Sequence, residues 1–405
     1  MRIAVVNNFF PPRAGGSSHL SDSLARGYAR AGHEVLVVTA AYQDAPGEET
    51  LSEGVRVVRL PAFMIPESKL AVSFDISFAT RPSLKRRISA LLDDFKPDVI
   101  HQHGQFFDLT WASGRYAAQR QIPSLLSVHT RLENPAAMYG RVFGALDKFV
   151  VTPRLKRFQP RIVVMDAHMH DYITRRYAGA YRDLVDIPVG VDPAWIQGGD
   201  RARGRARLGL DDQPVIMSIG HVIPQRDRLA VVEALPEVLR AHPDTKLIVV
   251  GRVYYDLFLD RAKELGVSDA VISLGAVAKT EIPDLIAAGD VECHEQGDGL
   301  GTATLEAMAA GTPVVGWGRL DNFPGMPLYD GKDIYLAKPG DTKGLSNRLI
   351  TVFDDLDKAR EVGLRGKQII TEHFTLQQVT NQYLSCLEDL VAHGPALGPA
   401  TGERS

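Results

Sequence analysis

Short apolar runs alternate with helix-period segments along almost the whole of this chain, and they do so in two successive series. A strand, a helical crossover and another strand build parallel sheet, because only a connection of that length lets neighbouring strands run the same way. The first series predicts strands at Ile3–Val6, Glu34–Thr39, Val55–Leu60, Val99–His101, Ser124–Val128 and Arg161–Met165, with a helix over Leu20–Ala31 closed by Gly32. The second predicts strands at Val215–Ile219, Lys246–Val250, Val271–Leu274, Val291–Cys293 and Val314–Val315. At 405 residues the chain exceeds the size that one hydrophobic core usually supports. The expectation is an α/β protein of two doubly wound, Rossmann-like domains.

Between the two series lie Pro188-Val189-Gly190-Val191-Asp192-Pro193, then Gly198-Gly199 and the basic run from Arg201 to Arg205. Pro and Gly punctuation followed by charge reads as a hinge, and no aromatic residues interleave with these arginines to suggest nucleic acid. The resulting division is a first domain over residues 1–192, a hinge over 193–211, a second domain over 212–370, a helix over 371–392 that could cross back to the first domain, and a tail over 393–405.

Composition narrows the class. Hydrophobic residues make up 45% and charged residues 23%, and a formal net charge of −3 supplies no global attraction to nucleic acid or to anionic membrane. No run has the apolar length of a membrane span, and the start of the chain reads as a first strand rather than a signal peptide, so a cytoplasmic protein is expected. Membrane contact is at most peripheral: the Lys85-Arg86-Arg87 cluster and Arg154, Lys156 and Arg157 read as solvated helix faces. Cys293 and Cys386 are too few for a disulfide framework and lack zinc-site spacing.

The most specific stretch runs from Gly297 to Val315. Gly297-Asp298-Gly299-Leu300-Gly301-Thr302 leads into an Ala/Leu/Glu/Met helix, which Gly311-Thr312-Pro313 ends before an apolar strand. A helix N-terminus there would offer N–H groups at Leu300, Gly301 and Thr302 to a pyrophosphate. Asp298 in the loop and Glu306 one turn inside the helix would accept hydrogen bonds from sugar hydroxyls on either side.

This stretch resembles the donor-sugar motif of retaining GT-B glycosyltransferases of the glycogen-synthase-like and sucrose-synthase-like group, glycosyltransferase family 4. In that family two glutamates flank seven residues; here the first is Asp298, one methylene shorter. Further motifs follow in the family's order: Asn8-Phe9-Phe10-Pro11-Pro12 before Gly15-Gly16, Gly32-His33-Glu34-Val35, Asp98-Val99-Ile100-His101, His129-Thr130, Ile187 to Asp192, and Gly220-His221. The resemblance implies a two-domain GT-B fold with the site between the domains at the carboxyl ends of the strands. It also implies a metal-independent front-face transfer from a nucleoside diphosphate sugar, UDP-sugar favoured, to an acceptor hydroxyl, with no cofactor beyond that co-substrate.

Site roles follow from the matching positions. Glu306 would hold the ribose and Asp298 a donor-sugar hydroxyl. The family places an arginine after Gly220 and a lysine five residues later; here those positions are His221 and Arg226, of which Arg226 keeps the charge. Gly15, Gly16, Gly299, Leu300, Gly301 and Thr302 would bring backbone to the diphosphate, and Arg252 would meet base or ribose. His129 matches a histidine that contacts the donor sugar. His101, His103, Glu133 and Asn134 are acceptor-side candidates, and the His-x-His spacing alone does not make a metal site. Acceptors would be small molecules or lipid-linked sugars. Two alternatives share parts of this pattern: a non-catalytic sugar-nucleotide-binding protein, suggested by Asp298, His221 and Val189 where the family has Glu, Arg and usually Asn, and an enzyme of the UDP-N-acetylglucosamine 2-epimerase type.

Overall fold

A computed structural model describes residues 1–13, 15–65, 76–80, 83–131, 137–224, 226–294, 300–323 and 328–394. The backbone divides into two compact units, Met1–Val189 with Gln377–Ser405, and Gly190–Leu376.

The first unit holds strands β1 (Arg2–Val6), β2 (Glu34–Ala40), β3 (Glu48–Thr50), β4 (Arg56–Leu60), β5 (Phe63–Ile65), β6 (Ile76–Phe78), β7 (Val99–His103), β8 (Ser124–Ser127), β9 (Arg161–Val164) and β10 (Leu184–Asp186). Eight of them form one sheet in the order β10-β9-β8-β7-β1-β2-β4-β3, while β5 and β6 pair separately. All neighbours in the large sheet are parallel except β3 against β4. The sheet is covered on both faces, which is why its strands read as unbroken apolar runs. Ile3 and Val5 of β1 pack with Leu24 and Tyr28 of the Gly16–Arg30 helix, and Ala4 and Val6 pack on the other side with Ile88 and Leu92 of the Leu84–Phe95 helix. The helix Leu376–His393 supplies Val379, Tyr383, Leu387 and Leu390 to the first of these cores.

The second unit holds β11 (Val215–Ile219), β12 (Lys246–Val250), β13 (Val271–Gly275), β14 (Val291–His294), β15 (Val314–Trp317) and β16 (Tyr335–Ala337), all parallel, in the order β13-β12-β11-β14-β15-β16. β11 lies between β12 and β14, so the strand order reverses there. Ligands of such sheets bind outside the carboxyl ends of the strands at that reversal.

The expected hinge over residues 193–211 is instead folded structure. Arg201–Leu208 is a helix, capped by Asp200, whose carboxylate accepts the Arg203 N–H, and closed by Gly209 in the left-handed region. Its arginines are paired rather than free linker charges. Arg201 binds Asp290 at 2.6 Å and the carbonyls of Ala287, Ala288 and Gly289; Arg203 pairs with Asp284 and Arg207 with Glu281. A Cβ on Gly199 or Gly204 would fall 2.1 Å from the Pro283 or Asp284 carbonyl oxygen, so the two backbones touch. The partners sit some eighty residues away in sequence, where local charge patterning cannot reveal them.

Candidate active site

Two glycines shape the carboxyl ends of β11 and β12. Gly220 has φ +132° and its N–H donates to the Val250 carbonyl at 2.8 Å; Gly251 has φ +137°, and a Cβ there would lie 2.2 Å from the Gly220 carbonyl oxygen. Only glycine permits this approach and this backbone. Beyond it the chain reverses tightly, with Ile223 and Arg226 exchanging main-chain hydrogen bonds of 3.2 and 2.8 Å, and Val222 donating to the Arg252 carbonyl. Arg226 is thereby fixed at the carboxyl end of β11.

His221 stands in the same turn. Its Nδ1 accepts the Arg252 main-chain N–H at 3.3 Å, so the ring proton resides on Nε2 and the imidazole is neutral. Burial and the charges of Arg226 and Arg252 push its pKa down. At the position where the family carries a permanent cation, this chain holds a neutral donor. The Arg252 guanidinium lies over the Tyr254 ring at 5.7 Å.

Arg228 was not legible as a site residue in the sequence. It is fully buried, sits in the left-handed region immediately before the Leu229–Ala241 helix, and donates to the carbonyls of Gly220 and Arg226 at 3.2 and 3.3 Å. A buried guanidinium under the turn locks it through both carbonyls. Its one sequence signal is proximity to Arg226, and charge so placed is normally exposed.

The second element is the helix Thr302–Ala310, which opens on Gly301 without a side-chain cap and closes on Gly311 in the left-handed region. Leu305 makes the first intrahelical bond, to the Gly301 carbonyl at 3.1 Å. The open N–H groups therefore belong to Thr302, Ala303 and Thr304, two residues later than the expected Leu300, Gly301 and Thr302. Leu300 is buried and anchors the entry. Glu306 lies one turn inside, half-buried; burial raises its pKa to about 7, against which the Lys279 charge pulls it down. The Lys279 ammonium itself rests over the Trp195 ring at 4.8 Å. Asp298 and Gly299 lie outside the described residues, as do Glu133 and Asn134.

In the first unit, Gly15 has φ +142° and precedes the Gly16–Arg30 helix, and a Cβ on Gly15 or Gly16 would meet nothing within 4 Å. The three histidines form a stacked ladder. His101, expected on the acceptor side, is fully buried, with Nδ1 on the Tyr28 hydroxyl at 3.0 Å and Nε2 on the Ser127 hydroxyl at 2.8 Å. Burial lowers its pKa to about 3. It is a core residue and presents no surface to a ligand, because β7 continues two residues beyond its expected end. His103 is also fully buried, and its Nδ1 meets His129 Nε2 at 2.8 Å. His129 is half-buried, its Nδ1 against the Met165 thioether at 3.5 Å, and burial lowers its pKa to about 4. Both ring nitrogens of His129 are thus turned to protein, which leaves its main chain and ring edge for a ligand. Among the described residues no group of three or more His, Cys, Asp or Glu is arranged to hold a metal ion.

Comparison with known proteins gives the same picture over nearly the whole chain. Residues 14–195 match the family described as Glycosyltransferase Family 4, and residues 200–369 match Glycosyl transferases group 1. A GDP-mannose-dependent alpha-(1-6)-phosphatidylinositol monomannoside mannosyltransferase of Mycolicibacterium smegmatis is 28% identical over 90% of this chain and 92% of that protein. A glycogen synthase of Mycobacterium tuberculosis is 26% identical over 94% of this chain and 92% of its own. Among solved structures, a sucrose-phosphate synthase from Thermosynechococcus elongatus superposes with a TM-score of 0.73 at 21% identity, covering 97% of this chain and 99% of that one. At that identity the likeness is one of fold.

Proposed function

Because its two halves are glycosyltransferase domains, the chain belongs to the GT-B glycosyltransferases of family 4, and we propose that it transfers a sugar, with retention of configuration, from a nucleoside diphosphate sugar to an acceptor hydroxyl. The observation that carries the donor assignment is Glu306, a half-buried carboxyl with a pKa of about 7, one turn inside a helix whose first N–H groups are open. A carboxyl pushed toward neutrality by burial regains its charge when two ribose hydroxyls donate to it. The N–H groups of Thr302, Ala303 and Thr304, the Nε2–H of His221 and the Arg226 guanidinium would take the diphosphate oxygens. Asp298 would hold a sugar hydroxyl and Arg252 the base or ribose.

In the transfer the bond from the anomeric carbon to the diphosphate breaks and its electron pair stays on the phosphate oxygen. The acceptor oxygen bonds to the same face of that carbon, and its proton passes to the departing phosphate. No side chain needs to act as nucleophile or base. The protein supplies orientation and positive potential where charge develops on the leaving group.

The relatives' names point to different donors: one is GDP-mannose-dependent and another is a glycogen synthase. Thermal unfolding in the presence of UDP, GDP, UDP-glucose and GDP-mannose tests the reading, since a ligand at a hundred times its Kd stabilises by about 2.7 kcal/mol. A rise in Tm with one base and not the other identifies the donor class; no rise with any nucleotide overturns the assignment. His221, neutral where the family has arginine, favours a second reading, in which the sugar nucleotide is bound without transfer. Binding by calorimetry with no release of nucleoside diphosphate in the presence of lipid and oligosaccharide acceptors would establish it.

A further inference from the structure

The helix Ala137–Leu146 runs through one turn of π-helix at Asp147–Val151 into the helix Thr152–Phe158. Its inner side is pinned: Asp147 is buried and accepts hydrogen bonds from the Tyr172 and Tyr177 hydroxyls, and Val151 and Leu155 enter the core beneath. The outer side carries an unusual combination. Val142 and Phe149 are 51% and 70% exposed, and beside each stands an exposed cation, Arg141 and Lys148. The two cation–apolar pairs are seven residues apart, about two helical turns, and so share a face. Lys156 and Arg157 extend the positive charge along the next helix, and the Arg176 guanidinium packs over Gly144. From Arg141 to Arg157 the one carboxylate is Asp147, which is buried, although the whole chain carries a net charge of −3.

Exposed aromatic and aliphatic side chains set among cations on a helical face match an interface whose surface is anionic and whose interior is apolar. We propose that the face bearing Arg141, Val142, Lys148, Phe149, Lys156 and Arg157 docks on an anionic lipid bilayer. Phe149 and Val142 enter the boundary between headgroup and acyl chain, and the four cations pair with lipid phosphates. The basic face at Lys85–Arg87 lacks the combination. Lys85, Arg86 and Arg87 are exposed on the Leu84–Phe95 helix, but its apolar residues Leu84, Ile88, Leu92 and Phe95 are buried, and Asp93 and Asp94 of the same helix already hold Arg120 and Arg56. Charge without exposed apolar surface gives that face no means of insertion. The inference stands independently of the donor and the acceptor.

Co-sedimentation of the full chain with vesicles tests it. The protein should pellet with equimolar phosphatidylglycerol and phosphatidylcholine at low salt, be released as salt rises, and stay in solution with phosphatidylcholine alone. Phe149→Ser should weaken the partition by about tenfold, and Lys148→Gln with Lys156→Gln and Arg157→Gln by about fivefold per cation removed. These side chains are exposed, so the variants should keep the parent's thermal melting. Lys85→Gln with Arg86→Gln and Arg87→Gln should retain most of the binding. Equal partition into both vesicle types, no partition into either, or loss confined to the Lys85 variant would overturn the proposal. So would sedimentation velocity showing a dimer that Phe149→Ser dissolves, since the face would then join two copies of this chain.

Discussion

Glu306 ties the proposed chemistry to a measurable titration. Its folded pKa of about 7 lies above that of an unfolded glutamate, so between those values the folded chain holds a proton that the unfolded chain releases. Stability from this group is therefore full below the unfolded pKa and is lost as pH rises toward 7. Glu306→Gln should remove that slope, gaining about 1–3 kcal/mol over the parent at pH 8 by urea denaturation while matching it near pH 4. Nucleotide affinity should run the opposite way, because ribose hydroxyls favour the carboxylate. Parent binding should gain a component that strengthens as pH rises to 7, and the glutamine variant should bind about 1–3 kcal/mol more weakly above that pH, without that component. Equal affinities by calorimetry would remove Glu306 from the site. His221 makes a contrasting case. With Nδ1 accepting the Arg252 N–H it is a neutral donor in the free chain, and a diphosphate would raise its pKa. Parent affinity should then fall as pH rises through the bound-state pKa, whereas His221→Arg should bind more tightly in mildly alkaline buffer and lose that dependence. Parallel pH profiles for the two proteins would leave the ring a neutral donor throughout. Glu306 could be read from sequence because its place is set locally, one turn past a glycine-rich helix entry. The burial of His101 could not, because it depends on Tyr28, Ser127 and Tyr383, which arrive from distant segments.

At the level of elements, the strands that the apolar runs announced are those buried on both faces of a parallel sheet. Those that escaped notice are three residues long: β3, β5, β6, β10 and β16, where no period can establish itself. β3 is Glu-Glu-Thr on a sheet edge, held antiparallel to β4, with Glu49 pairing with Arg59 and Glu48 with Arg56. Tertiary pairing, rather than propensity, makes it a strand. The Arg201–Leu208 helix is hidden from a local reading for a related reason: its arginines signal a linker, yet each is matched to a carboxylate or carbonyl of Glu281 to Asp290. The donor turn depends on a similar backbone contact between Gly220 and Gly251. Gly251→Ala would force a Cβ to 2.2 Å from the Gly220 carbonyl at a φ that alanine resists. The expected result is a loss of about 3 kcal/mol or more in stability by denaturant unfolding, with weakened nucleotide binding in whatever folds. Gly16→Ala, where a Cβ meets nothing within 4 Å, is the matching control and should leave stability within about 1 kcal/mol of the parent.

Across the whole molecule, the chain leaves its first unit at Val189 and returns to it at Gln377, so the last helix completes a core begun by the first strand. The Tyr383 ring lies 5.2 Å from His101, and its hydroxyl accepts a hydrogen bond from Ser127. Tyr383→Ala should therefore destabilise the first unit by about 3–5 kcal/mol. The histidine ladder of the first unit and Glu306 of the second titrate in opposite directions. In the first, His101 is depressed to about 3 and His129 to about 4, and His103 is lowered by burial as well. Their unfolded forms take up protons near pH 6.5, so stability from these groups is present above that pH and is lost as pH falls, by about 1.4 kcal/mol per pH unit for each histidine that the folded state keeps neutral. In the second, Glu306 changes stability in the other direction over the same range, gaining as pH falls from 7. Trp111 is the single tryptophan of the first unit, with Trp195 and Trp317 in the second. Fluorescence of a Trp195→Phe/Trp317→Phe variant therefore reports the first unit, and Trp111→Phe reports the second. Taken from pH 7 to pH 5, the Trp111 transition should move to markedly lower urea, while the transition reported by Trp195 and Trp317 moves little or upward. Glu306→Gln should remove any upward component without touching the Trp111 signal. Equal shifts of both transitions would show that the buried histidine ladder does not govern the acid stability of its own unit.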